Sequence, residues 1–200
     1  MIRMVGFGGE PATGKSLLMR TVVANWLQWT GQASEVKYGA SVFTTVYPGA
    51  RVMIFGNYEA GQMYGGTDRL SMSVQPELER VVLALHNDPN WDGWQILWEG
   101  DRLWNGKFLR FVLASDIPAR FFVLKCSEET LKARHAQRLD SQDEKWLSGR
   151  RTKVHNITEE FGLPVFEHNT PEDTARLALL FSDGTVWDLP APALRQELAL

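Results

Sequence analysis

Apolar and polar positions follow two rhythms along this chain, and the switches between them lay out an order of elements. An apolar run from Ile2 to Phe7 predicts a short buried strand, and Lys15 to Trp29 then carries apolar residues at helical spacing. The β-branched and aromatic stretches Val36–Tyr38, Val42–Val46 and Arg51–Phe55 predict short strands, with Pro48-Gly49 as a turn. Residues 57–73 contain glycines at 61, 65 and 66 and read as a long irregular loop. A loop of that length inside a compact domain is commonly functional. From Pro76, the positions Leu78, Val81, Val82 and Leu85 follow the pattern of a helix that ends near Asp88-Pro89.

Trp94–Trp98 is nearly all apolar and reads as a strand buried on both faces; Leu103–Leu113 reads as a helix, and Phe121–Lys125 as another buried strand. Ser127 followed by Glu128 and Glu129 predicts a capped helix start. The polar stretch Asp140–Lys153 separates that helix from a short one around Ile157–Phe161. Pro164–Phe166 is the last expected strand, and Thr170 caps a final helix opening with Pro171-Glu172-Asp173. Strands alternating with helices predict an α/β fold, a mostly parallel five-stranded sheet in a three-layer α/β/α sandwich with a small lid at about 140–153. The domain is expected over residues 1–182, with 183–200 as a tail marked by an Asp183-Gly184 turn, Pro190 and Pro192. Ligands of such sheets lie beyond the carboxyl ends of the strands, so the loops at 9–16, 57–73, 99–102 and 169–171 are expected to meet at one crevice.

Composition narrows this picture only slightly. With 200 residues, 44% hydrophobic and 22% charged, the chain has the balance of one globular domain. No apolar run reaches the roughly 20 residues of a membrane span, and the N-terminus lacks a signal pattern, so a cytoplasmic protein is expected. The single cysteine, Cys126, reads as a core thiol. A net charge of −3 makes no global electrostatic case for nucleic acid, although a local basic groove can coexist with it. The four histidines show no metal-ligand spacing. Trp94 and Trp98 read as core; Trp91 and Trp104 flank the crevice and read as packing residues, with stacking on a base as the alternative.

Candidate chemistry begins at Gly9-Glu10-Pro11-Ala12-Thr13-Gly14-Lys15-Ser16, a G-x-x-x-x-G-K-S octet set between the first strand and the first helix. In that context glycines let backbone N–H groups wrap a polyphosphate, Lys15 reaches the β/γ-phosphates, and Ser16 ligates Mg²⁺. Leu17 completes the expected nucleotide-binding segment. Glu99, ending a buried strand, is a candidate Mg²⁺ partner or acceptor-activating acid; Asp101 is either a second acid or the N-cap of the next helix. Arg102 can clamp an acceptor phosphate or pair with a surface acid. In the 57–73 loop, Tyr58, Glu59, Asp68, Arg69 and Ser71 supply a ring, two acids, a cation and a hydroxyl. If the acceptor is a hydroxyl, a carboxylate must take its proton, with Asp68 first choice and Glu59 second. A surface loop held by local Asp turns is the alternative. Arg150, Arg151 and Lys153 are expected as lid cations that neutralise transferring phosphate, whereas Arg134 and Arg138 read more simply as a solvated helix face.

Together these residues resemble the P-loop nucleoside and nucleotide kinases of the adenylate- and thymidylate-kinase-like group over about residues 2–180. Glu99-Gly100-Asp101-Arg102 resembles the group's acid–arginine segment, though it has Glu where the family has Asp and lacks its proline. Asp140–Lys153 resembles the lid. His168-Asn169-Thr170-Pro171-Glu172-Asp173 resembles the loop that abuts the nucleotide base, which implies base contacts for Asn169 and Pro171. The 57–75 loop departs from the housekeeping monophosphate kinases. Gly66-Thr67-Asp68-Arg69-Leu70-Ser71, the octet and Lys153-Val154-His155-Asn156-Ile157 are more similar to a bacteriophage branch that phosphorylates 5-hydroxymethyluracil within DNA. The resemblance implies ATP and Mg²⁺ as cofactors, hydroxymethylpyrimidine-containing DNA as partner, and the host cytoplasm as location. A free nucleoside or nucleotide acceptor stays open, as, more distantly, does an NTP-hydrolysing switch or motor.

Overall fold

A computed structural model describes residues 1–30, 34–38, 42–56, 58, 65–138 and 143–192. The chain runs β1 (Arg3–Gly9), α1 (Lys15–Thr30), β2 (Ser34–Tyr38), β3 (Val42–Tyr47), β4 (Val52–Phe55), α2 (Gln75–Asn87), β5 (Gln95–Glu99), α3 (Gly106–Ala114), β6 (Ala119–Lys125), α4 (Glu128–Arg138), α5 (Glu144–Phe161), β7 (Val165–Glu167) and α6 (Pro171–Ser182). The strands form one mixed sheet in the order β2-β3-β4-β5-β1-β6-β7. The expected five-stranded sheet is thus corrected to seven. Five strands, β4 to β7 together with β1, run parallel, while β3 and β2 add an antiparallel arm beyond β4. The reason is local: Pro48–Ala50 make a single tight turn, too short to carry the chain back for a parallel crossover.

The parallel strands alternate their side chains between two apolar cores. Met4, Met53, Phe55, Ile96, Trp98, Phe121 and Val123 face α2, α3 and α5, which contribute Leu78, Val82, Phe108, Val112, Ile157 and Phe161. Val5, Phe7, Ile54, Leu97, Phe122 and Leu124 face α1 and α6 through Leu18, Met19, Val22, Leu177, Ala178 and Phe181. Burial on both faces explains why β1, β5 and β6 read as unbroken apolar runs. Beyond α6, Gly184 takes a left-handed turn and a 3-10 segment at Thr185–Asp188 packs Val186, fully buried, into the second core. No helix among the described residues is long and apolar enough to cross a membrane.

Two helices differ from expectation. The polar stretch before Lys153 is not a separate linker: from Glu144 it is the first half of the 18-residue α5, N-capped by Asp143, whose carboxylate accepts the Trp146 N–H at 2.6 Å. Helix-favouring Glu, Lys, Leu and Arg extend that half without an apolar stripe. α3 begins at Gly106 rather than Leu103, and its cap is Asn105, not Asp101. α6 opens at Pro171 with Thr170 and Asp173 forming a reciprocal capping box.

Candidate functional site

Residues 9–16 connect β1 to α1. Gly9 and Gly14 have φ of 148° and 89°, and Ala12 between them is also left-handed at 65°. The Lys15 ammonium donates to the carbonyls of Gly9 (3.0 Å) and Glu10 (2.9 Å), and the Thr13 hydroxyl to Glu10 (2.8 Å), so the loop closes on itself around the lysine.

Ser16, in the first turn of α1, donates its hydroxyl to Glu99 Oε1 at 2.9 Å. Glu99 ends β5, whose register pairs it with Phe7 of β1, so the adjacency of the two strands carries this contact. The Tyr58 hydroxyl donates to the same oxygen at 3.2 Å, and Thr67 Oγ1 to the Glu99 carbonyl at 2.8 Å. Only glycine fits at Gly66: its φ is 71°, and a Cβ there would run into the Glu99 carboxylate. Glu99 is buried, and desolvation pushes its carboxyl up to about 7, with Asp68 adding and Lys15, Ser16 and Tyr58 opposing. Burial, then Glu99, holds the Tyr58 phenol well above its ordinary value, so it remains a proton donor.

Asp68 lies beside this pair in a 3-10 turn, Thr67–Arg69, and accepts the Asp101 N–H at 2.6 Å. Burial and then the Asp101 carboxylate raise its carboxyl, with Lys15 opposing. Asp101 in turn anchors α5. Arg150 meets its Oδ2 at 2.8 Å, and Lys153 reaches its carbonyl at 3.3 Å and Oδ1 at 3.5 Å. Arg151 pairs instead with Glu10 of the glycine-rich loop at 3.1 Å. Glu10 and Arg151 also border a cleft of about 700 Å³ between α4 and α5.

A second, smaller pocket of about 270 Å³ opens on the other side of the loop, lined by Leu17, Thr21, Arg134, Thr170, Pro171, Thr174 and Ala175. Its size suits one planar heterocycle. Arg134 is not a solvated face residue as expected: it donates to Ala12 O (3.3 Å), Asn169 O (3.3 Å) and Cys126 Sγ (3.0 Å). It projects from α4 over the loop because Ala12, Cys126 and Leu131 pack together beneath it. Asn169 accepts the Ser127 N–H at 2.7 Å, tying the loop after β7 to the start of α4.

No family model matches the chain, and no curated protein matches it.

The sequence-predicted residues divide accordingly. Lys15, Ser16, Tyr58, Asp68, Glu99 and Asp101 come together in one connected network. Leu17 and Pro171 meet in the small pocket. Arg102 turns toward Leu70, its Nε donating to the Leu70 carbonyl at 3.4 Å. Arg69 and Ser71 are exposed, and Ser71 hydrogen-bonds Ser73 (3.1 Å) rather than the network. Glu59 and the Arg138 side chain lie outside the described residues. Trp104 is buried against Trp98 and under Gly8, which removes base stacking as its role. Thr67 and His168 were missed; only their positions, at a loop beside β5 and just past the carboxyl end of β7, pointed toward the crevice.

Proposed function

We propose that this chain is an ATP- and Mg²⁺-dependent P-loop kinase that transfers the γ-phosphate to a hydroxyl, the favoured acceptor being the 5-hydroxymethyl group of 5-hydroxymethyluracil in DNA. The observation that carries the kinase reading is the Ser16–Glu99 pair, 2.9 Å apart at the mouth of the glycine-rich loop with Asp68 alongside. Mg²⁺ is commonly held by one or two protein oxygens together with substrate phosphates, and a hydroxyl with a carboxylate is such a complement. When bound, the ion neutralises charge on the transferring phosphates.

This chain's own residues divide the remaining work. The loop N–H groups and Lys15 hold the triphosphate, and the 270 Å³ pocket takes its base. Asp68, half-buried and raised, accepts the acceptor hydroxyl's proton as oxygen bonds to the γ-phosphorus and the bond to the β-phosphate oxygen breaks, releasing ADP. Arg150, Arg151 and Lys153 exchange their carboxylate partners for phosphate as α5 settles over the crevice.

One observation favours a free nucleotide as acceptor: the net charge of −3 offers little general attraction to a polyanion. Labelled γ-phosphate from ATP, followed into hydroxymethyluracil-containing DNA, ordinary DNA, free nucleotides and water, decides between them. Transfer to the modified DNA is expected. Label in free nucleotides alone removes the DNA acceptor, and label only in inorganic phosphate removes the kinase reading. Lys15→Ala is expected to lower transfer at least about a hundredfold, the scale of losing a charge-stabilising group.

A further inference from the structure

Two successive carbonyls of the 9–16 loop are held by side chains from outside the loop. Arg134 donates to Ala12 O at 3.3 Å, and His168 Nδ1 lies 2.5 Å from Thr13 O. His168 is fully buried. Its Nε2 lies 2.8 Å from the Thr174 hydroxyl, its N–H donates to Lys125 O at 2.8 Å, and its carbonyl accepts from Cys126 Sγ at 2.9 Å. The ring therefore has one orientation.

The hydrogen-bond chemistry also selects one tautomer. A carbonyl can only accept, so Nδ1 carries the proton toward Thr13. Burial holds the imidazole below its ordinary range, with the bond to Thr13 and Asp173 opposing and Arg134 reinforcing. In that neutral ring Nε2 accepts the Thr174 hydroxyl proton at 2.8 Å, in preference to the longer 3.3 Å contact from the same hydroxyl to Thr170 O. The ring also lies so close to Gly14 that a Cβ there would collide with it. In a trans peptide the carbonyl and the following N–H point in opposite directions. Fixing Thr13 O against His168 therefore turns the Gly14 N–H away from the His168 ring.

We propose that His168 is a positioning residue for the triphosphate site: as the Nδ1–H tautomer it locks the Thr13–Gly14 peptide so that its N–H faces the phosphates. Through Thr174, which also lines the 270 Å³ pocket, the same ring ties the loop's orientation to the wall that receives the base. This rests on reading 9–16 as a triphosphate loop.

An asparagine amide nitrogen falls near the position of Nδ1, and a glutamine amide nitrogen near Nε2, so His168→Asn and His168→Gln separate the two contacts. Calorimetric titration with MgATP and with inorganic tripolyphosphate reads the loop without any acceptor. His168→Asn is expected to bind both within about threefold of the unsubstituted chain, while His168→Gln, lacking the donor to Thr13, weakens both about tenfold or more. Equal loss in both variants, or none in either, overturns the positioning role alone. If the unsubstituted chain binds neither probe, the triphosphate reading fails and the positioning role with it. Nitrogen NMR of the His168 ring is expected to show the Nδ1–H tautomer, and the Nε2–H form overturns the proposal even where a variant fails to fold.

Discussion

Glu99 shows at the scale of one residue how stability and chemistry pull against each other. Desolvation raises its carboxyl from 4.5 to about 7, because β5 ends inside the protein and, among the described residues, two hydroxyls donate to the charge. Between those values the folded chain binds more protons than the unfolded one. Its contribution to stability is therefore complete below about pH 4.5 and declines as pH rises through about 7. The ionised form, which Mg²⁺ would require, grows in over the same interval. Glu99→Gln is expected to flatten this part of the profile: urea midpoints at about pH 5 and about pH 8 should lie closer together in the variant than in the parent. An unchanged difference would remove Glu99 as its source. The importance of Glu99 was legible from its place at the end of an apolar run beside the glycine-rich octet. Its protonation was not, since that depends first on burial in the folded chain and then on Asp68, which arrives from a loop whose path no local pattern dictates.

At the scale of the element, α5 carries most of what the pattern left unread. Its first half has no apolar stripe, so hydrophobic periodicity starts it too late, near Ile157; Asp143 was the available start signal. As one helix it delivers Arg150 and Lys153 to the far side of the crevice, where Asp101 receives both. Asp101 is thereby engaged elsewhere, and Asn105 caps α3. The two ends of this grip should differ in strength. Asp101 and its partners are largely shielded, with side-chain exposures of 26–31%, whereas Arg151 is 61% exposed. Asp101→Ala leaves two half-buried cations without their carboxylate and is expected to cost about 1–3 kcal/mol in urea unfolding. Arg151→Ala should stay within about 0.5 kcal/mol, since exposed pairs are screened by solvent. The reverse ranking would mean that α5 is held at the glycine-rich loop and not at Asp101.

Across the whole molecule, the parallel sheet separates the two jobs by its ends. The parallel sense of the strands was implied by alternating strands and helices, and with it the convergence of strand-following loops; their order was not, and the antiparallel pairing of β3 with β4 goes with one tight turn at Pro48–Ala50. Every residue of the candidate network lies at the carboxyl ends of β1, β5, β6 and β7, or in loops and helices that reach them. The opposite ends are closed by a segment read from sequence only as a tail. The Trp187 ring is met by the guanidinium groups of Arg3 (5.3 Å) and Arg120 (5.4 Å), and its indole N–H donates to Gln95 at 3.1 Å. Its carbonyl accepts from Arg120 at 3.0 Å. It thus touches residues at the starts of β1, β5 and β6, a full strand length from Glu99. Its cation and hydrogen-bond contacts are all with these strand starts, and the ring also packs against the core that α1 and α6 share. Trp187→Ala should therefore lower unfolding free energy by about 2–4 kcal/mol, less than a fully buried tryptophan because its ring is only half-buried. Its Kd for MgATP, measured well below the unfolding midpoint, should stay within about twofold of the parent. A larger change in affinity would show that the two ends of the sheet are coupled, and that the carboxyl-end crevice is tuned from the side that holds the fold together.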